Sequence, residues 1–180
     1  MEKIKNENSK KALLVIDLQI DTIDENGKLT IEKSQTKNLI TAVNDVIDDF
    51  YEKNYTIIYI RHIFKKDDEN NKYRNYACIE GTKGVEIDPR IKIVSENIFE
   101  KFDASALSND KLNDYLLEKQ INELFLCGVM AEHCIKETAL DAKRKKFNVN
   151  YISNAVGALN VKDIENVKME LKVNGINIIE

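Results

Sequence analysis

The chain lacks several features that mark specialised classes of protein. Its 180 residues include three cysteines, an odd number without regular spacing, and two histidines. A disulfide framework and a structural metal site are therefore disfavoured, and free thiols fit a reducing compartment. The formal net charge is −4, so no excess of basic residues points to nucleic acid or to an anionic membrane. We expect no metal, no nucleic-acid partner and no membrane association.

Long hydrophobic runs are also missing. The first apolar run, Ala12–Ile16, follows a polar segment from Met1 to Lys11 and is too short for a signal peptide or a membrane span. Hydrophobic residues make up 43% of the chain and charged residues 32%, as in ordinary globular proteins. We therefore expect one domain over residues 1–180 and a cytoplasmic location.

Six short apolar runs predict buried strands. Because they are continuously apolar rather than alternating, they suit a parallel sheet that is covered on both faces. The runs are Ala12–Leu18, Thr56–Ile60, Ile91–Val94, Leu124–Val129, Val149–Ile152 and Ile176–Ile179. Four apolar stripes at helical spacing lie between them, and three of these follow a residue suited to an N-cap, namely Ser34, Ser108 and Asp163. This alternation predicts an α/β three-layer sandwich, with a mostly parallel six-stranded sheet and helices on both faces.

Several polar residues fall where the predicted strands end. Ligands bind beyond the carboxyl ends of the strands in such sheets. This rule places Asp17, Arg61–His62 and the turn 128–134 at one rim of the sheet. We expect the site there.

The segment 64–88 has no clear periodicity and is predicted to be a long loop. Loops of this length are usually functional or mobile. Within it, Tyr73, Arg74 and Tyr76 are candidates for contact with a substrate. The alternative is that these side chains are simply exposed to solvent.

Cys134 is the residue that most clearly suggests chemistry. The apolar run 124–129 leads through Gly128 and a short turn to a predicted helix, and Cys134 lies at its start. Free backbone N–H groups and the helix dipole favour a thiolate there. A cysteine nucleophile also needs a proton acceptor and electrostatic support, for which Asp17 and Lys101 are candidates. Taken singly, the three could equally be an inert cysteine, a turn-capping carboxylate and a surface lysine.

Several segments together resemble the motifs of one family, the isochorismatase-like cysteine hydrolases. This superfamily includes nicotinamidases and N-carbamoylsarcosine amidohydrolases. The resemblance runs from Lys11 to Ile179, and the motifs occur in the family's order. The segments are 12–19 around Asp17, 81–89, 101–106 around Lys101, 128–135 around Cys134, 138–142 and 153–157.

The resemblance implies a reaction and a role for each residue. Cys134 would attack the carbonyl of a small amide or carbamoyl compound, cleave its C–N bond and form an acyl-enzyme. Asp17 would be the general acid and base, and Lys101 would hold Asp17 and support the thiolate. The resemblance also implies a cis peptide bond between Val129 and Met130, with the backbone N–H groups of Met130 and Cys134 as an oxyanion hole. It implies no cofactor and a homodimer or homotetramer.

The sequence departs from nicotinamidases at their metal site. Nicotinamidases bind a metal through an Asp-x-His pair after the second strand and a later histidine. Here the first positions hold His62, Ile63 and Phe64. This difference disfavours a metal-assisted reaction. His62 is expected either to line the substrate pocket or to be a half-buried histidine at a strand end.

Three further residues are candidates for substrate contact, and two other functions stay open. Gln19 lies in the first motif, and Phe102 and Leu107 are expected to form an apolar pocket wall. The alternatives to an enzyme are a non-catalytic protein that binds a small molecule and a thiol that responds to oxidation. The complete set of aspartate, lysine and cysteine favours the enzyme, because a binding protein needs no such set.

Overall fold

Within the described residues 10–180, six parallel strands form one sheet. The computed structural model describes residues 10–180, so residues 1–9 of the predicted domain lie outside the described part. The strands are β1 (Lys11–Ile16), β2 (Thr56–His62), β3 (Ile98–Lys101), β4 (Glu123–Gly128), β5 (Asn148–Val156) and β6 (Asn177–Ile179). Their order in space is β3-β2-β1-β4-β5-β6, and all five pairings are parallel. The predicted fold class is confirmed.

Helices cover both faces of the sheet. They are α1 (Ile20–Ile23), α2 (Lys33–Glu52), α3 (Asp110–Glu118), α4 (Lys136–Arg144) and α5 (Ile164–Val173). The apolar face of α2 packs on one side of the sheet, whereas α3, α4 and α5 pack on the other. No helix in the described range 10–180 is both long enough and apolar enough to cross a membrane.

The sheet separates two buried apolar clusters, which explains why its strands are continuously apolar. Successive side chains of a strand point to opposite faces. In β1, Leu14 and Ile16 pack into the cluster with α3, α4 and α5, whereas Leu13 and Val15 pack into the cluster with α2. Both faces of β1 therefore need apolar residues.

The strand order reverses beside β1. The chain builds outward from β1 through β2 to β3 and then returns to place β4 on the other side of β1. Such a switch point opens a crevice at the carboxyl ends of the two central strands. Asp17 follows β1 and the turn to Cys134 follows β4, so both enter this crevice.

The third predicted strand is wrong. Residues 91–94 belong to no strand, and β3 is formed by Ile98–Lys101 instead. The apolar run packs as irregular chain, and its Ile93 is 53% exposed. Its backbone is tied to the Tyr59 hydroxyl, which donates to Lys92 O at 2.8 Å and accepts from Val94 N at 3.1 Å. The short edge strand β3 buries few side chains, so apolar content predicted a strand in the wrong segment.

The helix starts also differ slightly from the prediction. Helix α2 begins after Glu32 rather than after Ser34. The N-cap of α3 is Asn109, whose side chain accepts from Leu112 N at 3.1 Å, rather than Ser108. Asp163 does precede α5, but its side chain makes no capping hydrogen bond.

Gly128 ends β4 where the backbone passes very close to β1. Its φ is +119°, and a Cβ atom there would overlap the carbonyl oxygen of Ile16. Val129 N donates to that same oxygen at 3.0 Å, and Gly157 N donates to Gly128 O at 3.0 Å. The absence of a side chain at Gly128 therefore lets the turn that leads to Cys134 lie against β1.

We expect Gly128→Ala to destabilise the protein by roughly 2–4 kcal/mol, because it combines backbone strain with a backbone overlap. Urea denaturation followed by circular dichroism measures the change. Gly81→Ala is the matched control, because Gly81 also has a positive φ of +74° but only the Lys66 side chain nearby. Equal losses for the two variants would contradict the overlap argument.

Candidate active site

Asp17 is held in the crevice by its own backbone. It follows the last residue of β1, is 3% exposed and has a φ of +55°, a conformation that aspartate tolerates better than most residues. Its N–H donates to Ile60 O at 2.9 Å, and its carbonyl accepts from the Thr22 hydroxyl at 2.6 Å. These contacts fix the carboxylate of Asp17 beneath the turn that carries Cys134.

Lys101 is the last residue of β3, and its ammonium is the centre of the site. The side chain is completely buried. Five acceptors surround Nζ: Asp17 Oδ2 at 3.0 Å, Cys134 Sγ at 3.1 Å, His62 Nδ1 at 3.1 Å, Asp103 O at 3.1 Å and Ala104 O at 2.8 Å. The interpretation as a surface lysine is thereby excluded.

The ammonium of Lys101 keeps its charge. Burial alone would lower the pKa of Lys101, but its contacts, first of all the charge of the Asp17 carboxylate, outweigh that effect and raise it. A buried cation is tolerated when it is paired and hydrogen-bonded. The ammonium therefore joins the candidate base and the candidate nucleophile.

The loop after Lys101 is anchored to α4. The Ser105 hydroxyl donates to Asp141 Oδ2 at 2.9 Å, and Ala106 N donates to Thr138 Oγ1 at 2.9 Å. Two of the sequence motifs thus meet in space. They hold the carbonyls of Asp103 and Ala104 against the ammonium.

Cys134 lies within a single turn of π-helix, Ala131–Ile135, which leads into α4. Burial, followed by the nearby negative charge of Asp17, raises the pKa of Cys134 to about 12. This direction is opposite to the one expected from the helix start. Desolvation disfavours the thiolate more than Lys101 favours it.

His62 is a neutral ring with a favoured tautomer. An ammonium has no lone pair, so the 3.1 Å contact between His62 Nδ1 and Lys101 Nζ favours the tautomer that carries its proton on Nε2. Burial and the charge of Lys101 lower the pKa of His62 to about 4. The nearby Phe102 backbone slightly favours the protonated ring, yet Nε2 makes no hydrogen bond of good geometry within residues 10–180.

A cavity of about 390 Å³ opens beside Cys134. Its walls come from the ends of β1, β2 and β4, from the loop 64–88 and from the segment after β5. The lining residues are Asp17, Thr22, Leu29, His62, Phe64, Tyr73, Arg74, Ala77, Cys78, Ala104, Val129, Met130, His133, Cys134 and Leu159. Most of this wall is apolar, and two of its polar side chains, Asp17 and His62, lie beside the sulfur.

Comparison with known proteins places this arrangement in a family. The family model described as "Isochorismatase domain" matches residues 11–179. The chain belongs to the isochorismatase family. A nicotinamidase of Saccharomyces cerevisiae is 24% identical over 94% of this chain and 99% of its own length. A "probable inactive nicotinamidase" of Arabidopsis thaliana is 28% identical over 87% of this chain and 88% of its own.

A solved structure shows the same fold. A pyrazinamidase of Pyrococcus horikoshii in complex with zinc has a TM-score of 0.85 and 27% identity, over 95% of this chain and 99% of that one. The family match and the nicotinamidase relative show that the protein is a hydrolase that acts on C–N amide bonds.

The residues present do not fit the metal site expected of a nicotinamidase in this family. The two ends of the His62-Ile63-Phe64 segment stack on each other, with ring centroids 4.1 Å apart, so Phe64 brings an apolar ring where a ligand would stand. Asp17, His62 and Cys134 do offer three ligand-type atoms within 4.8 Å of one another. All three, however, contact the Lys101 ammonium, which takes the place that a metal cation would need.

The predicted site residues fall into two groups. Asp17, Lys101 and Cys134 meet, and His62 and Tyr73 line the cavity. The other four candidates, Gln19, Tyr76, Phe102 and Leu107, do not line it. Leu107 is in the core, and Phe102 is 55% exposed on another face, so neither forms the expected pocket wall.

The side chain of Gln19 stabilises the backbone around His62 and does not line the cavity. Its Nε2 donates to His62 O at 2.9 Å and to Val85 O at 3.0 Å, and its Oε1 accepts from His62 N at 2.8 Å. The side chain thereby ties β2 to the loop 64–88. These hydrogen bonds fix the backbone of His62.

The turn before Cys134 has the backbone geometry that the family resemblance implies. The peptide bond between Val129 and Met130 is cis. Ala131 N donates to Gly157 O at 2.8 Å, which ties the turn to the end of β5. Within residues 10–180 the Met130 N–H donates no hydrogen bond, so it is free to serve a ligand.

Sequence reasoning missed several lining residues. Thr22 and Leu29 come from the segment after β1, and Leu159 comes from the segment after β5. Thr22 lies outside the family motifs, although it is only five residues beyond Asp17. Leu159 follows the motif at 153–157, and its position after a central strand was the available signal.

We expect His62 to titrate with a midpoint near pH 4 and to carry its neutral proton on Nε2. Nitrogen-15 NMR of the ring measures both properties, and His133→Asn, at an exposed position, assigns the second histidine. A midpoint near the ordinary value of about 6.5 would contradict the contact with Lys101.

The lowered pKa of His62 makes the free energy of unfolding depend on pH. Because the unfolded chain takes up the His62 proton at a higher pH than the folded protein, stability falls as the pH drops from about 6.5 to about 4. The full effect is about 3 kcal/mol. His62→Asn should flatten this part of the profile, whereas His133→Asn should not.

Proposed function

We propose that the protein is a cysteine hydrolase that cleaves the C–N bond of a small amide or carbamoyl compound through an acyl-enzyme on Cys134. The observation that carries this proposal is the position of Lys101 Nζ, 3.0 Å from Asp17 Oδ2 and 3.1 Å from Cys134 Sγ. One buried cation thereby holds a base and a nucleophile together. The reaction needs both groups in that place.

The first half of the reaction forms the acyl-enzyme. The Asp17 carboxylate takes the thiol proton as Sγ attacks the substrate carbonyl carbon. The backbone N–H groups of Met130 and Cys134 stabilise the oxyanion that develops. The C–N bond then breaks, and Asp17 gives its proton to the departing ammonia or amine. Because the pKa of Cys134 is raised to about 12, proton removal and attack are expected to occur together.

The second half regenerates the thiol. Water loses a proton to Asp17 and attacks the thioester carbonyl. The C–S bond breaks, the acid product forms and the sulfur recovers its proton. Lys101 keeps its charge throughout and stabilises the anionic sulfur.

His62 is a poor candidate for the base, although its Nδ1 lies 3.7 Å from Cys134 Sγ. The lone pair of Nδ1 is engaged by Lys101 Nζ at 3.1 Å. Its pKa of about 4 makes the ring a weak proton acceptor. The Nε2–H of His62 is left as a donor for a polar atom of the substrate.

We expect Cys134→Ala and Asp17→Asn to lower kcat/KM by at least about a thousandfold, because each removes a reacting group. Ammonia release is measured with purified protein across a panel of small amides, ureides and carbamates. Cys127→Ala is the thiol control, because Cys127 is buried in β4 and does not line the cavity. Undiminished turnover by Cys134→Ala would contradict the mechanism.

Dialysis against a chelator is expected to leave turnover unchanged within about twofold. The cation at the centre of the ligand-type atoms belongs to Lys101, which no chelator removes. Atomic emission of the dialysed protein checks that metals are gone. A strong loss that Zn²⁺ or Fe²⁺ restores would contradict this assignment.

A binding protein on the same scaffold is the second candidate. The relative named as a probable inactive nicotinamidase motivates it. No turnover across the whole panel, with a fully reduced Cys134 shown by mass spectrometry, would favour it. The raised pKa of Cys134 weighs against the third alternative, an oxidation-responsive thiol, because such sensors have a low pKa.

Three expectations from the sequence stay proposals. They are the homodimer or homotetramer, the absence of nucleic-acid and membrane partners, and the cytoplasmic location. Light scattering on the purified protein measures the first of them.

A further inference from the structure

Arg74 brings a positive charge to the wall of the cavity beside Cys134. The other formally charged side chain in that wall, Asp17, is paired with the buried Lys101. His62 is neutral at physiological pH because its pKa is about 4. Arg74 therefore supplies a fixed positive charge to a wall that also includes His133.

The guanidinium of Arg74 is held in place before any ligand arrives. Its Nη2 donates to Asp68 Oδ2 at 2.8 Å, and its Nη1 donates to Asn71 Oδ1 at 2.9 Å. Its Cζ lies 3.9 Å from the centroid of the Phe64 ring. Asn71 is 1% exposed and donates to Lys65 O at 2.8 Å, so this support is itself fixed. A guanidinium ordered in this way loses little entropy on binding.

The counterion of Arg74 lies outside the cavity. Asp68 caps the short 3₁₀ helix Glu69–Arg74 and does not line the cavity. Arginine has five N–H donors, and two of those of Arg74 have hydrogen-bond partners within residues 10–180. The remaining N–H groups of Arg74 are available to a planar acceptor such as a carboxylate. The mostly apolar walls of the cavity strengthen the electrostatic attraction between the guanidinium and such an anion.

We infer that Arg74 binds a carboxylate of the substrate, so that the substrate is a small amide or carbamoyl compound with an apolar body and a carboxylate remote from the scissile carbonyl. This inference rests on the proposed function. The reacting carbonyl lies at Cys134, the apolar body lies against residues such as Leu29 and Leu159, and the carboxylate pairs with Arg74.

The competing explanation is that Arg74 only ties its loop together through Asp68. Two substitutions separate the explanations because they act in opposite directions. Arg74→Gln removes the charge. Asp68→Asn keeps the guanidinium and frees it from its counterion, so it strengthens an anion site but weakens a loop contact.

The test measures binding to a form of the protein that does not turn over. Cys134→Ala is combined with Arg74→Gln or with Asp68→Asn, and calorimetry follows 3- and 4-carbamoylbenzoate with benzamide as the neutral analogue. We expect Arg74→Gln to lower the affinity ratio of carboxylate to benzamide by at least about tenfold, as a charge-assisted hydrogen bond would. We expect Asp68→Asn to raise it.

Other results would overturn the inference. An unchanged ratio in Arg74→Gln, a fall in both variants, or no binding of either carbamoylbenzoate to the Cys134→Ala protein would each do so. The proposed function is tested separately, by ammonia release from the amide panel with the otherwise unaltered protein. Hydrolysis of neutral amides with an unchanged ratio would keep the reaction and reject the carboxylate.

Discussion

The site depends on the contacts of the Lys101 ammonium, which forms an ion pair with Asp17 and has four further acceptors within 3.1 Å for its three N–H groups. These contacts join the carboxylate after β1, the imidazole at the end of β2, two carbonyls after β3 and the sulfur after β4. Four strand ends thus converge on one nitrogen atom. A buried charge is costly unless it is paired, so removal of Asp17 would leave the Lys101 ammonium without its carboxylate. The same ammonium contacts both the candidate base, Asp17, and the candidate nucleophile, Cys134.

The sequence was sufficient for the fold class because both faces of the sheet are buried. Continuous apolar runs follow from that burial, and they located five of the six strands, though not their ends. The run at 91–94 misled because β3 is a short edge strand with three of its four residues at least partly exposed. Local apolar content records burial, and it does not record which chain segment makes the ladder hydrogen bonds.

The site could be predicted in part, for a different physical reason. Asp17 and Cys134 follow central strands, where ligands bind in such folds, and the family motifs added Lys101. The pKa of Cys134 could not be predicted from its place on a helix, because burial raises it. Phe102 and Leu107 are neighbours of Lys101 in sequence, but their side chains leave the site in other directions. Long-range packing decides such directions, and spacing alone does not.

The raised pKa of Cys134 affects which molecules its sulfur can react with. A free cysteine in an unfolded chain has a pKa near 8.5 and ionises more readily than this buried thiol. The raised pKa of Cys134 disfavours its thiolate, which is the form that reacts with electrophiles and peroxides. In the mechanism that we propose, the proton of this thiol passes to Asp17 only when a substrate carbonyl is bound, so the fold would select what the sulfur attacks by controlling when it is ionised.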